Sequence, residues 1–291
     1  LSKLALICGT MPWVQPWIAA NMPFPTLFLF FELCLRSVGQ VFFCNSPLSG
    51  LFMCVGIYVQ STRVATHGLL ALVGANLSAM AMGFDAELIR SGLYGYNAVL
   101  IGLALSTFQN SYEHEGWSVA IPLCVTFFGG FSILVFQVLG SLLCPYKAPP
   151  LTLPLDFIVV LFLASTNTTP RISLGPVYEP ALPSYPLYPD LDIDMDAKQF
   201  FGAVMRGVGQ ILFCDKIAPC ILILVGVTFC SRVLVLATVL GKGLDALGGS
   251  GVSEPVPGLE IALGFAFEYL YLVAENTFFD VKFYISGMLC I

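Results

Sequence analysis

Arg36-Ser-Val-Gly-Gln40-Val-Phe-Phe43-Cys44-Asn45 returns 170 residues later as Arg206-Gly-Val-Gly-Gln210-Ile-Leu-Phe213-Cys214-Asp215. The offset persists downstream, where Val55-Gly56 answers Val225-Gly226. A second match pairs Leu163-Ala-Ser-Thr-Asn167-Thr168 with Leu272-Val-Ala-Glu-Asn276-Thr277, but at an offset of 109. The two offsets differ by 61 residues, so the second copy keeps the start and the end of the repeat and lacks that much of its middle. Two matches in the same order make a duplicated chain the reading.

The copies sit in a chain built for lipid. Of 291 residues 57% are apolar, 13% aromatic and only 10% charged, with a mean hydropathy of +0.87. A soluble domain carries roughly 25% charged residues, so the polar side chains here cannot coat a globule in water. Uncharged stretches fill the first half: Ser37 to Thr62, Val64 to Phe84 with only His67 able to titrate, Ser91 to Tyr112, and Trp117 to Tyr146. Each reaches the roughly 20 residues that cross a hydrocarbon core. Trp17 to Leu35 is equally apolar apart from Glu32, and the shorter run Leu151 to Ser165, carrying Asp156, suits a tilted or re-entrant segment. Pro47, Gly50, Gly56, Gly129 and Gly130 are expected to break several runs, and broken helices in lipid must be buried in protein or line a cavity. Arg36 and Arg206 stand four residues before the glutamines, where snorkelling to the interface is the expected role.

These features predict an all-α polytopic membrane protein: a first repeat over 17–168, an acidic Pro/Tyr-rich connector over 169–198 and a shortened second repeat over 199–280. Duplicated membrane proteins carry their site near the midplane, at the interface of the repeats. If each half crosses an odd number of times, the copies face opposite ways and Gln40 and Gln210 take opposite mouths of one pathway. Asn167-Thr168-Thr169 is a glycosylation acceptor in a polar loop, whereas Asn76-Leu77-Ser78 fits the same pattern inside a span and is expected to stay unused. No cleavable signal peptide is expected, because no basic region precedes a small-residue cleavage site.

The composition excludes other classes. A net charge of −6 argues against a phosphate-binding surface, hence against nucleic-acid partners. Ten cysteines occur without a C-x-x-C pair and read as packing groups. His67 and His114 are the only histidines; a packed or bonded core position is expected for His67. No Ser-His-Asp set, P-loop or nucleotide-binding glycine motif is visible, so neither an enzyme nor a cofactor or metal is expected.

Three segments in order, Arg-x-x-x-Gln-Val-x-Phe at 36–43, Gly92-Leu-Tyr-Gly95-Tyr96-Asn97-Ala-Val-Leu100-Ile-Gly102 and Leu151-Thr152-Leu153-Pro154, resemble the urea transporter family. The likeness covers about 20–168, then 200–235 well and 260–280 weakly. It implies a homotrimer in the plasma membrane, each protomer holding its own pore between two inverted halves, with urea as the partner. It further implies that Gln40 and Phe43, with Val41 between them, form one mouth, that Tyr96 and Leu100 complete an aromatic slot, and that Thr152 lies near the constriction. Gln210, Ile211 and Phe213 are their matches in the second half. Leu155 and Asp156 stand where the family usually has Phe and Asn, the second G-[YF]-N motif is missing, and Glu268 replaces an apolar residue. Three readings stay open: a passive urea facilitator, a pore for ammonia, water or another small amide, and a non-conducting shortened subunit.

Urea is small, planar and neutral, and removing its water without replacement costs roughly 2–7 kcal/mol per polar group. Gln40, Gln210, Thr152 and the freed carbonyls of broken helices offer acceptors to its NH2 groups. Aromatic faces can hold its flat sides and exclude a hydrated ion.

Overall fold

The structure, a computed structural model, describes residues 8–108, 120–146, 148–166, 197–232, 234–236 and 238–239. Every regular element among them is a helix: α1 (Val14–Asn21), α2 (Pro25–Gln40), α3 (Pro47–Gln60), α4 (Thr62–Ala81), α5 (Ala86–Arg90), α6 (Tyr96–Phe108) and α7 (Ala120–Leu143). After a 3-10 turn at Cys144–Tyr146 come α8 (Leu153–Thr166), α9 (Ala197–Gln210) and α10 (Ile217–Cys230). The Asn167 acceptor, most of the connector, His114 and Glu268 lie outside the described residues.

Local chemistry sets the helix ends. Proline opens α2 and α3, where its missing N–H costs nothing. Ser46 caps α3 by accepting from the Ser49 N–H at 3.4 Å. Ser61, extended in backbone, ends α3 and caps α4 through the Val64 N–H at 3.4 Å. Asp85 caps α5, accepting from the Glu87 and Leu88 N–H groups at 2.9 and 3.0 Å.

Among the described residues two helices are long and apolar enough to span, α4 with 20 residues and the α7 stretch with 26 when its 3-10 extension is included. α3, α8 and α10 have 14 residues and α6 has 13, short of the roughly 20 that a full crossing needs. Leu123, Phe127, Val138 and Leu142 on α7 and Phe157 and Val160 on α8 are exposed. An apolar surface of this extent is what lipid would cover.

The uncharged run from Ser37 to Thr62 is not one span. α2 runs straight through Arg36 to Gln40, the chain turns over 41–46, and α3 begins at Pro47. Pro47 therefore does mark a break. Gly50, Gly56, Gly129 and Gly130 do not: they lie inside continuous helices. A Cβ on Gly129 would collide with the Ala71 carbonyl, and one on Gly130 would stand 2.7 Å from Ser78 Oγ. These glycines let α7 press against α4, the close approach that replaces the hydrophobic effect between helices in lipid.

The repeat is visible in the backbone. α9 ends 170 residues after α2, and α10 occupies the same register as α3. Both turns place a phenylalanine in the left-handed region, Phe43 at φ 54° and Phe213 at φ 57°. In both, the cysteine that follows donates its N–H to the glycine before the glutamine, Cys44 to Gly39 at 3.0 Å and Cys214 to Gly209 at 2.9 Å. Ser231 closes α10 as Ser61 closes α3, and caps the next turn through Leu234 at 3.3 Å.

α3 and α10 cross with reciprocal contacts. A Cβ on Gly56 would stand 3.1 Å from the Pro219 carbonyl oxygen, and one on Gly226 would stand 2.9 Å from the Ser49 carbonyl oxygen. Gly226 is the repeat match of Gly56 and Pro219 that of Ser49, so a local two-fold relates the helices. A contact that maps onto itself is the isologous pattern. Gly226→Leu is expected to wedge the crossing open and to cost about 1–3 kcal/mol by overpacking, read as a fall in melting temperature in detergent. An unchanged melting temperature would mean that the two helices part freely.

Candidate functional site

The segment 91–95 lies across the end of α2 and decides the surroundings of Gln40. Gly92 stands at φ +79°, and a Cβ there would meet the Ser37 nitrogen at 2.5 Å. Gly95 comes equally close to the Ser37 side chain. The segment can dock only because neither residue has a side chain. Docked, it presents the Ser91 carbonyl, which accepts from Gln40 Nε2 at 2.8 Å. Gln40 is 3% exposed; its amide is held, not free to swing.

Arg36 does not snorkel. It is 4% exposed, as is Glu32 one turn earlier, and its Nε–H donates to Glu32 Oε1. Its remaining N–H groups reach the Asn45 carbonyl and side-chain oxygens at 2.9 and 2.7 Å and the Thr10 carbonyl at 2.8 Å. Gln15 completes the carboxylate, donating to Glu32 Oε2 at 3.0 Å. A charge taken out of water needs a partner and a full set of hydrogen bonds, and here it has both. The same cluster fastens residues 10–15 to α2 and to the turn that follows it.

The second repeat shares the turn but not the brace. Gly202 replaces Glu32, Asp215 replaces Asn45, and Arg206 is exposed. Asp215 instead accepts from Gln60 Nε2 at the far end of α3. Lys216 adds its backbone N–H to Gln60 Oε1 at 3.2 Å and its Nζ to the Gln60 carbonyl at 3.1 Å.

A second break is pinned between α6 and α8. Leu151 adopts φ 43° just before α8, and its carbonyl accepts from the Tyr96 hydroxyl at 2.5 Å and from Asn97 Nδ2 at 3.0 Å. Tyr96 is buried with its ring edge-on to Phe136, centroids 6.2 Å apart. Thr152 is half-buried, and its carbonyl accepts the Asp156 N–H at 3.1 Å. Asp156 is exposed in the first turn of α8, where the helix dipole favours a carboxylate.

Of the nine sequence candidates, four converge on one apolar cluster. Leu100 is buried in it, while Val41 from the first repeat and Ile211 and Phe213 from the second pack against it. Val41 also touches the neighbouring cluster that holds Tyr96. Phe213 meets Phe108 edge-on at 6.1 Å, and Phe43 is half-buried. The two glutamines differ: Gln40 is buried, Gln210 exposed. The sequence reading missed Glu32, Ser91 and Leu151. Glu32 was detectable as the carboxylate one turn before Arg36; the two carbonyls carry no sequence signal. His67 is buried with Nδ1 2.8 Å from Ser106 Oγ, and Asn76, the second glycosylation triplet, is buried too. Among the described residues no group of three or more His, Cys, Asp or Glu could hold a metal ion.

Comparison with known proteins gives the family. The model of the urea transporter family matches residues 31–272. Urea transporter 1 of Capra hircus is 26% identical over 267 residues, covering 89% of this chain and 65% of that protein. Urea transporter 1 of Mus musculus matches with the same identity and coverage. The chain thus spans just under two thirds of the length of these relatives. With most of its residues under the family model, and with an all-helical architecture that carries spanning-length apolar helices, the chain belongs to the urea transporter family of membrane proteins.

Proposed function

We propose that the chain moves urea passively, down its gradient, across the plasma membrane, as a homotrimer with one passage per protomer between inverted repeats. The supporting observation is that both repeats contribute to a single apolar cluster, Val41 and Leu100 from one and Ile211 and Phe213 from the other, beside glutamine-ended helices. Gln40 and Gln210 sit toward the two mouths, Phe43, Tyr96 and Phe213 clamp the flat faces of urea, and Thr152 lies at the narrow centre. The walls supply oxygens to the NH2 groups, so urea sheds water at small cost while a hydrated ion does not. Asn167 is the glycan acceptor on the outer side in this reading.

The test is urea flux by stopped-flow light scattering on proteoliposomes holding the full chain. Saturable flux above empty vesicles is expected. Gln40→Leu, which removes a hydrogen bond worth roughly 1–3 kcal/mol when a buried partner is left unmade, should lower it by about ten- to a hundredfold. Flux of ammonia or water without urea, or none of the three from a folded trimer, overturns the proposal in favour of the other readings. Native mass spectrometry of the detergent-solubilised chain reads the trimer directly.

A further inference from the structure

Asn97 lies in the first turn of α6 and is 2% exposed. Its Nδ2 donates to the Leu151 carbonyl at 3.0 Å, and its Oδ1 has no hydrogen-bond partner among the described residues. The amide cannot be turned over to relieve this. Reversed, Oδ1 would face the Leu151 oxygen, and two acceptors would oppose each other. The uncommitted atom is therefore an acceptor with a fixed direction, held by the bond that its own NH2 makes. Buried acceptors without a donor are rare and call for one.

The neighbouring polar atoms narrow the choice. The Leu151 carbonyl already accepts twice, from Tyr96 and from Asn97, and a carbonyl oxygen has two lone pairs. It has nothing left for a third donor, and the Tyr96 hydroxyl proton is committed to it. Oδ1 of Asn97 is the open acceptor at this break, next to the Tyr96 ring and to the Leu151–Thr152 turn. A neutral amide oxygen there suits a neutral N–H donor: it repels anions, and alone it cannot replace the shell of a hydrated cation. The second half of the chain has no G-[YF]-N motif, so by sequence this acceptor has no repeat partner.

From this we infer that Asn97 determines specificity: its side-chain oxygen accepts an N–H of the permeating amide, while its NH2 holds the Leu151 turn. The inference rests on the proposed urea pathway and adds a residue to it. Proteoliposomes with the full chain, Asn97→Leu and Tyr96→Phe are compared for flux of urea and of 1,3-dimethylurea, which has half as many N–H donors. Asn97→Leu should raise the half-saturation concentration for urea about tenfold, on the order of one lost hydrogen bond. It should also shrink the preference for urea over dimethylurea at least about threefold, as coupled partners do in a double-mutant cycle. Tyr96→Phe, which removes the hydroxyl bond to the Leu151 carbonyl and keeps the ring, should lower maximal flux of both permeants alike. Asn97→Ser is read in the same way if Asn97→Leu fails to give a monodisperse protein. An Asn97 variant that keeps the preference of the parent chain overturns the inference while urea transport stands. No urea flux from the parent chain overturns both.

Discussion

Arg36→Met is expected to destabilise the chain by about 3–5 kcal/mol, the cost of leaving a buried carboxylate without its partner. Arg206→Met, at the matching position of the other repeat, is expected to stay within about 0.5 kcal/mol, as exposed substitutions do. The two arginines have the same place in the repeat and opposite surroundings. Arg36 is enclosed with Glu32, Asn45 and the Thr10 carbonyl; Arg206 has Gly202 where the carboxylate would be, with nothing within 4 Å of a Cβ there. Thermal denaturation in one detergent reads both. The double change Glu32→Met with Arg36→Met removes both charges and should recover much of the loss, since apolar replacements of a buried pair are often neutral. Equal losses from Arg36→Met and Arg206→Met would refute the brace.

Gly92→Val should be the most damaging single change to transport. The φ of +79° is costly for a β-branched residue, about 1–3 kcal/mol of backbone strain. Its Cβ would also stand 2.5 Å from the Ser37 nitrogen, an overlap that adds about as much again. Relief requires segment 91–95 to lift from α2, which breaks the Gln40–Ser91 bond. Urea flux should then fall to the level of empty vesicles, together with a lower melting temperature. Gly83→Ala isolates the strain: Gly83 is also left-handed, at φ +66°, but has nothing within 4 Å of a Cβ. It should cost about 1–2 kcal/mol and leave flux unchanged. If Gly92→Val conducts like the parent, the docking of 91–95 does not hold Gln40 in working position.

Residue composition was enough to indicate an all-helical membrane chain, and a 170-residue echo to indicate the matching helix pairs at 25–60 and 197–230, because charge scarcity and self-similarity are properties of the linear string. The three ordered motifs pointed to the family for the same reason. Other features depended on which segments meet in space. Arg36 looked like the end of a span, since a lone charge in lipid belongs at the interface; Glu32, one turn away, cancels it and lets α2 continue to Gln40. Gly56 and Gly129 looked like breaks, because glycine is a poor helix former; in the folded chain they are the places where one helix rests on the backbone of another. Gln40 and Gln210 are interchangeable as letters and unequal as side chains. The burial of the first is set by Ser91, some fifty positions away, which approaches because Gly92 and Gly95 have no side chains to keep it off.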